Sequence, residues 1–332
     1  MGASLLACQS DRMSRNRREI HFLTFGGGAN WPGAARRLTN QAKATGLFAS
    51  TSSETGNDFF LRWPEFALHR PFIDANARGW GYWIWKPFLV RSYMHRIKDG
   101  EVIFYLDAGC EILPQNRSGL SSLLGHLNSS DHLVWDYSDY PIFNLVFWTK
   151  QNLLDRAERE FGLTDPLRLP KVWAGGFGLV KTKRNVSLLE DWFRLSTSDN
   201  YHLVDDTPAP TPQRYPYFEH RHDQSILSIL VAVYGIASHG RALDYDYNKQ
   251  SIERTRIALD KPFLALRNCN AKSQVELFGP SMGFVAKRKI RRLIVLMRGR
   301  GEQVPTSYET TRDLANRLTF EYRRELVALG LL

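Results

Sequence analysis

The side chains best suited to chemistry in this chain fall into a few short stretches. Asp107 ends the apolar run Val102-Ile103-Phe104-Tyr105-Leu106, and Ala108 and Gly109 follow it. A carboxylate at the carboxyl end of a strand lies where ligands bind in open α/β sheets, and a glycine beside it lets a ligand or metal approach the backbone. The competing reading is a strand-end turn with a solvated acid. Glu219-His220-Arg221-His222-Asp223-Gln224-Ser225 stands ahead of a helical pattern. Asp223 suits an N-cap, but a cap does not account for the imidazoles and guanidinium beside it, which suit a metal or a phosphate. Asn200-Tyr201-His202-Leu203-Val204-Asp205-Asp206 offers an acidic pair that reads as solvated loop charge or as a substrate contact.

Gly79-Trp80-Gly81-Tyr82-Trp83-Ile84-Trp85-Lys86-Pro87 is dense in indole. Such rings pack on sugar C–H faces or stack on bases, so Tyr82 and Trp85 are candidates for a pocket wall with Lys86 facing phosphate; packing in the core is the alternative. Gly175 and Gly176 interrupt the apolar run 173–180, which weakens a strand unless a sugar or nucleotide must come close or a bulge forms. Gly26-Gly27-Gly28 follows the first strand but does not match a dinucleotide fingerprint, because Trp31 occupies the position of its last glycine.

These residues need a scaffold. Strand patterns cover 20–25, 46–50, 102–106, 133–135 and 173–180; helical patterns cover 32–45, 88–94 with Pro87 in the first turn, 118–127, 150–161, 186–195 and 224–234. Strands alternating with helices imply an α/β sandwich with a largely parallel sheet. Residues 207–216 are a proline-rich loop. The expected organisation is a disordered tail over 1–18, a catalytic domain over 19–254, and a basic helical extension over 255–332.

At 332 residues and 43% hydrophobic the chain can bury a large core. Its net charge of +10 and pI near 9.6 favour polyanions or phosphorylated substrates, although no nucleic-acid-reading motif is present. Cys8, Cys110 and Cys269 form no CxxC, which argues against a disulfide scaffold or structural zinc and for a reducing cytoplasm. Residues 4–10 superficially resemble a lipoprotein box but lack a basic leader. The Lys/Arg run over 287–300 brackets an apolar stripe and suits an anionic membrane surface as well as it suits an ordinary basic helix.

The quoted stretches also carry a resemblance. GYWIWKP at 81–87, FYLDAGCE at 104–111, NYHLVDD at 200–206 and EHRHDQSILS at 219–228 resemble segments of bacterial capsular and O-antigen polysaccharide transferases of GT-A fold. More distantly, their order resembles the family 8 glycosyltransferases. The likeness spans roughly residues 20–250 and leaves the last eighty or so uncovered. It implies a Rossmann-like, mixed and mostly parallel sheet with helices on both faces, and transfer from a nucleotide-diphosphate sugar to a glycan or lipid-linked acceptor. It implies donor contacts at Asp107, Ala108, Gly109, Gly175, Gly176, Tyr82, Trp85, Lys86, Arg221 and His222, with Asp223 and Gln224 at the reacting carbon. It also implies Mn²⁺ or Mg²⁺ at Asp107, with His222 or His239 completing the site. Gly109 stands where the family's second DxD aspartate would be, and Glu111 could compensate if the strand continued. The implied setting is the cytoplasm, or the inner face of the membrane. An inactive sugar- or nucleotide-binding relative and a nucleotidyl- or phosphotransferase are the alternatives.

Overall fold

The computed structural model describes residues 17–28, 30–113, 117–241, 262–265, 267–273 and 311–332. The chain runs β1 (Ile20–Gly26), α1 (Trp31–Thr45), β2 (Ser50–Thr55), α2 (Gly56–Arg62), α3 (Arg70–Ala75), α4 (Trp85–Arg96), β3 (Val102–Leu106), β4 (Cys110–Glu111), α5 (Arg117–Gly125), β5 (His132–Leu133) and β6 (Trp135–Asp136). It continues through α6 (Gln151–Phe161), β7 (Gly176–Val180), α7 (Lys183–Thr197), α8 (Asp223–Val233), β8 (Gly240–Arg241), β9 (Leu264–Ala265), α9 (Thr311–Glu321) and α10 (Arg323–Ala328).

The main sheet has the order β2-β1-β3-β7-β5. β1 pairs parallel with β2 and β3, whereas β7 is antiparallel to both β3 and β5. Four strands therefore share one direction and β7 opposes them, which is the mixed, mostly parallel α/β sheet expected. Its two faces are covered differently. Phe22 and Phe104, paired in register, meet Phe48, and the backbone of Trp31 at the start of α1 presses on Gly26 of the same face. On the other face Phe25 stacks on Trp85 of α4, and Phe177 meets Trp192 of α7. All five residues of β3 are buried, as suits a central strand covered on both sides.

The second strand begins at Ser50, later than the apolar pattern suggested. Gly46 closes α1 in a left-handed conformation (φ 64°), and the strand itself is the polar edge sequence STSSET. Part of the stretch assigned to an extension packs on the main body: β9 pairs with β4, Phe263 stacks on Trp173, Tyr322 meets Phe218, and Leu318 and Leu326 are buried. Residues 1–16 of the expected 1–18 tail, Cys8 among them, and the basic run over 287–300 lie outside the described residues. Among the described residues no helix is long and apolar enough to cross a membrane.

Candidate active site

Lys86 is the hub of the site. Its ammonium lies 3.1 Å from Asp107 Oδ1 and 3.1 Å from Asp223 Oδ2, and it donates to the Ala174 carbonyl at 3.1 Å. Each partner arrives on a different element: Asp107 from the end of β3, Asp223 from the first turn of α8, and Ala174 from the approach to β7. The Asp107 N–H donates to the Gly175 carbonyl at 2.8 Å, so the 174–175 backbone holds lysine and aspartate together. Tyr105, two residues before Asp107, donates its hydroxyl to Asp107 Oδ1 at 2.6 Å.

Exposure grades across this cluster. The Lys86 and Asp223 side chains are 3% and 6% exposed and that of Asp107 is 40%, so Asp107 is the member open to solvent. The two acids outnumber the ammonium, which sets the pKa pattern. Burial pushes the Asp223 carboxyl up to about 6, the charge on Asp107 adds to this, and Lys86 opposes it. Burial works against a charged Lys86, but the two carboxylates together raise it above the ordinary lysine value. Burial and the neighbouring Asp107 charge push Tyr105 well up.

Three sequence expectations change here. Lys86 does not face open space; it is enclosed by its two acids. Asp223 is buried beneath Lys86, with its carbonyl accepting from Trp192 Nε1 at 2.9 Å, so it positions Lys86 instead of reaching outward. Gln224 is committed to the Val172 carbonyl at 2.5 Å.

The aromatic block has an unusual backbone. Gly79, Trp80, Gly81, Tyr82 and Trp83 all have positive φ, between 51° and 81°, making a left-handed turn directly ahead of α4. The two glycines tolerate this; the three aromatic residues are strained by it. The turn buries Trp85, which stacks on Phe25 at 3.9 Å between ring centres and donates to the Gly79 carbonyl, so Trp85 is core and not a pocket wall. Trp80, Tyr82 and Trp83 remain half-buried. Trp80 covers Gly27 and Gly56 at the carboxyl ends of β1 and β2. Tyr82 and Trp83 lie on His222, at 4.9 and 5.5 Å between ring centres.

His222 is itself strained, at φ 54° and ψ −122°. Its Nδ1 is hydrogen-bonded to the Val204 carbonyl at 2.7 Å, and its Nε2 lies 3.7 Å from Asp206 Oδ1. Burial lowers its pKa to about 4, so the ring is neutral and Nδ1 carries the proton it gives Val204. His220 is buried between the Lys150 N–H and the Leu203 carbonyl, and burial drives its pKa well down. Arg221 lies over the Trp148 ring at 4.9 Å, with Nη2 3.2 Å from Glu219 and its buried Nε without a hydrogen-bond partner.

The 200–206 loop, read in part as solvated charge, is anchored. Lys150, 2% exposed, bonds Asp205 Oδ1 at 3.0 Å and the carbonyls of His202 and Thr207. Arg78 bridges Asp206 and Glu219. Sequence reasoning missed Lys150 and Arg78, whose partners are distant in the chain. It also passed over Tyr105, although the two-residue strand period places its phenol on the same face as Asp107.

Gly109, Gly175 and Gly176 are buried, and none has room for a side chain. A Cβ on Gly109 would lie 2.8 Å from the Arg267 Cα, and one on Gly175 or Gly176 would meet the Trp173 ring or Leu106. The Ala108 and Cys110 carbonyls both accept from Arg37 of α1, at 2.8 Å each. Glu111, which could have stood in for a second acid, is fully buried and accepts from Asn268 at 2.8 Å and from Ser273. His239 lies against His126 and Trp135. The described donor set therefore does not fit a divalent ion at Asp107. Asp107 Oδ1 is taken by Tyr105 and Lys86, His222 is directed at the 204–206 loop, and no second carboxylate is free. Among the described residues, the single group of three ligand-type side chains with mutually close donor atoms is Glu19, His21 and Glu101, at the amino ends of β1 and β3, away from Asp107.

A cleft of about 520 Å³ opens beyond the carboxyl end of β2, lined by Arg36, Ser53, Glu54, Thr55, Asp58, Leu61 and Arg62. β1, β2 and β3 are parallel, so this cleft and Asp107 lie at the same end of the sheet.

No family model and no curated protein matches the chain. Among solved structures, the apo crystal structure of mouse xyloside xylosyltransferase 1 is similar with a TM-score of 0.35 and 13% identity, covering 77% of this chain and 99% of that one.

Proposed function

We propose that this chain is a glycosyltransferase that moves a sugar from a nucleoside-diphosphate donor to a hydroxyl of a glycan or lipid-linked acceptor in surface-polysaccharide synthesis. One observation carries the reading. Stretches around residues 86, 107 and 223, far apart in sequence, meet at a single ion-paired cluster whose exposed member closes a central strand. Ligands of open α/β sheets lie beyond that strand end. The cleft beside β2 offers room for the nucleoside, and half-buried Trp80 covers the carboxyl ends of β1 and β2.

In the reaction, an acceptor oxygen bonds to the anomeric carbon while that carbon's bond to the β-phosphate oxygen breaks. The electron pair leaves with the nucleoside diphosphate, and the acceptor's proton passes to a carboxylate or phosphate oxygen. Asp107 presents Oδ2 to the sugar while Tyr105 and Lys86 hold its other oxygen. Fixing one oxygen aims the other at no reorganisation cost during the reaction. The half-buried rings of Tyr82 and Trp83, backed by the buried His222, form a wall suited to a sugar face.

The test is a product assay over a panel of nucleotide sugars and glycan or lipid-linked acceptors, run with wild type and Asp107→Asn. Wild type transfers sugar, and Asp107→Asn loses about a hundredfold in kcat/KM while unfolding at nearly the same temperature. Nucleotide binding without turnover on any acceptor would instead identify an inactive binding relative.

A further inference from the structure

We propose that the donor's diphosphate is gripped by guanidinium groups, Arg267 foremost, in place of a divalent cation beside Asp107. This rests on the transferase reading above. The position two residues after Asp107, where the resembling motif carries its second acid, is closed by backbone: a Cβ at Gly109 would come within 2.8 Å of the Arg267 Cα and 3.3 Å of its carbonyl carbon. The Asn268 N–H seals the contact by donating to the Gly109 carbonyl at 3.0 Å. No side chain fits at 109, and the residue lying there is an arginine.

That arginine has the properties of a ligand contact. Arg267 is exposed, it makes no ion pair or hydrogen bond with the described residues, and it occupies left-handed backbone at φ 51°. Strained non-glycine backbone persists where the surroundings over-determine it. Here they do. Arg37 Nη1 donates to the Asn268 and Asn270 carbonyls while its Nη2 ties down Ala108 and Cys110, so one guanidinium clamps the Asp107 turn to the 268–270 segment. Glu111 fixes Asn268 and Ser273 from beneath.

Arg221 is a second cation to consider: burial lowers its pKa, Glu219 opposes this, and the charges of Arg267 and Arg78 add to the depression. Arg221 also holds a buried Nε–H without a partner. An anion between the two arginines would relieve their repulsion. Planar guanidinium forks match phosphate oxygens in pairs, a geometry that an ammonium lacks.

The experiment titrates wild type, Arg267→Gln and Arg267→Lys with UDP, GDP and ADP by calorimetry, in Mn²⁺ and separately in EDTA. Arg267 is exposed, so unchanged ligand-free melting temperatures show that the variants fold. Expected is wild-type affinity for the preferred diphosphate within about twofold in the two buffers, with Arg267→Gln weaker by about tenfold or more and Arg267→Lys in between. Diphosphate binding that needs Mn²⁺, or is unmoved in Arg267→Gln, overturns this proposal and leaves the transferase reading standing. Binding of no diphosphate in either buffer overturns both.

Discussion

Lys86 and Lys150 are both buried within a few per cent of full enclosure, and they behave in opposite ways. Lys86 sits between two carboxylates and its pKa rises; Lys150 has one carboxylate partner, Asp205, and burial wins, so its pKa falls. Both ammonium groups also take carbonyl oxygens: one at Lys86, and two at Lys150. Desolvation opposes the charge at each place; two hydrogen-bonded carboxylates outweigh it at Lys86, whereas Asp205 with the Asp206 charge does not at Lys150. The lesson concerns roles. Lys150 is a closed clamp that shapes the 202–207 loop. Lys86 belongs to a cluster with one acid in excess, and that acid is exposed. A site needs such an unbalanced, reachable group; a clamp does not.

Removing the lysines should separate these roles most sharply. Lys86→Met leaves the enclosed Asp223 beside the Asp107 charge with no cation and should cost about 3–5 kcal/mol of unfolding free energy, while Lys150→Met, stranding one half-buried acid, should cost about 1–3 kcal/mol. Urea denaturation measures both. Adding Asp223→Asn to Lys86→Met should recover part of its loss, and equal costs for the two lysines would erase the distinction.

A pH series sharpens it further. His222 and His69 titrate near 4 in the folded chain, burial being the main cause in each, against about 6.5 unfolded. Between those values the unfolded chain binds more protons, so stability falls as pH drops from about 6.5 towards 4, by up to ~3 kcal/mol per histidine. Asp223 works the other way. Its folded value near 6 exceeds the unfolded one, so its contribution is largest at low pH and is lost as pH rises through about 6. Asp223→Asn should therefore steepen the acid-side fall in unfolding free energy, and a slope that does not change would show that the carboxyl is not proton-bearing in the folded state.

The smallest effect is expected at Tyr105→Phe, which removes one hydrogen bond to Asp107 and should cost about 1 kcal/mol in thermal or urea unfolding. A cost near zero would mean that Lys86 alone holds the exposed acid.

The parts of this architecture that were legible in the sequence are those with strong local signals. The apolar run 102–106, the 3.6-residue periods of α1, α6, α7 and α8, and Asp107 at a strand end needed only period and composition. β2 escaped because an edge strand written STSSET carries no apolar alternation. Helices α2 and α3 escaped because they are short and set among prolines and aromatics. In the site, residue types pointed to Lys86, Asp107 and Asp223, but not to which of them faces outward, because exposure is decided by packing from distant segments. Trp85 and Lys86 read as pocket residues until the left-handed turn ahead of them turned both inward. Arg267 lay beyond the stretch in which any motif spoke, and its relation to Gly109 is a contact between residues far apart in the chain.

The mirror-hand turn at 79–83 has one more consequence. Holding three bulky L-residues there costs roughly 3–6 kcal/mol, comparable with the whole margin by which an ordinary domain stays folded. Excised as a peptide, this stretch would relax to another shape; only the assembled surroundings of Phe25, Ile73 and His222 keep it wound. Trp80 and Trp83 therefore owe their orientation to segments from elsewhere in the chain, and a change that loosens Phe25, Ile73 or His222 would release the wound turn as well.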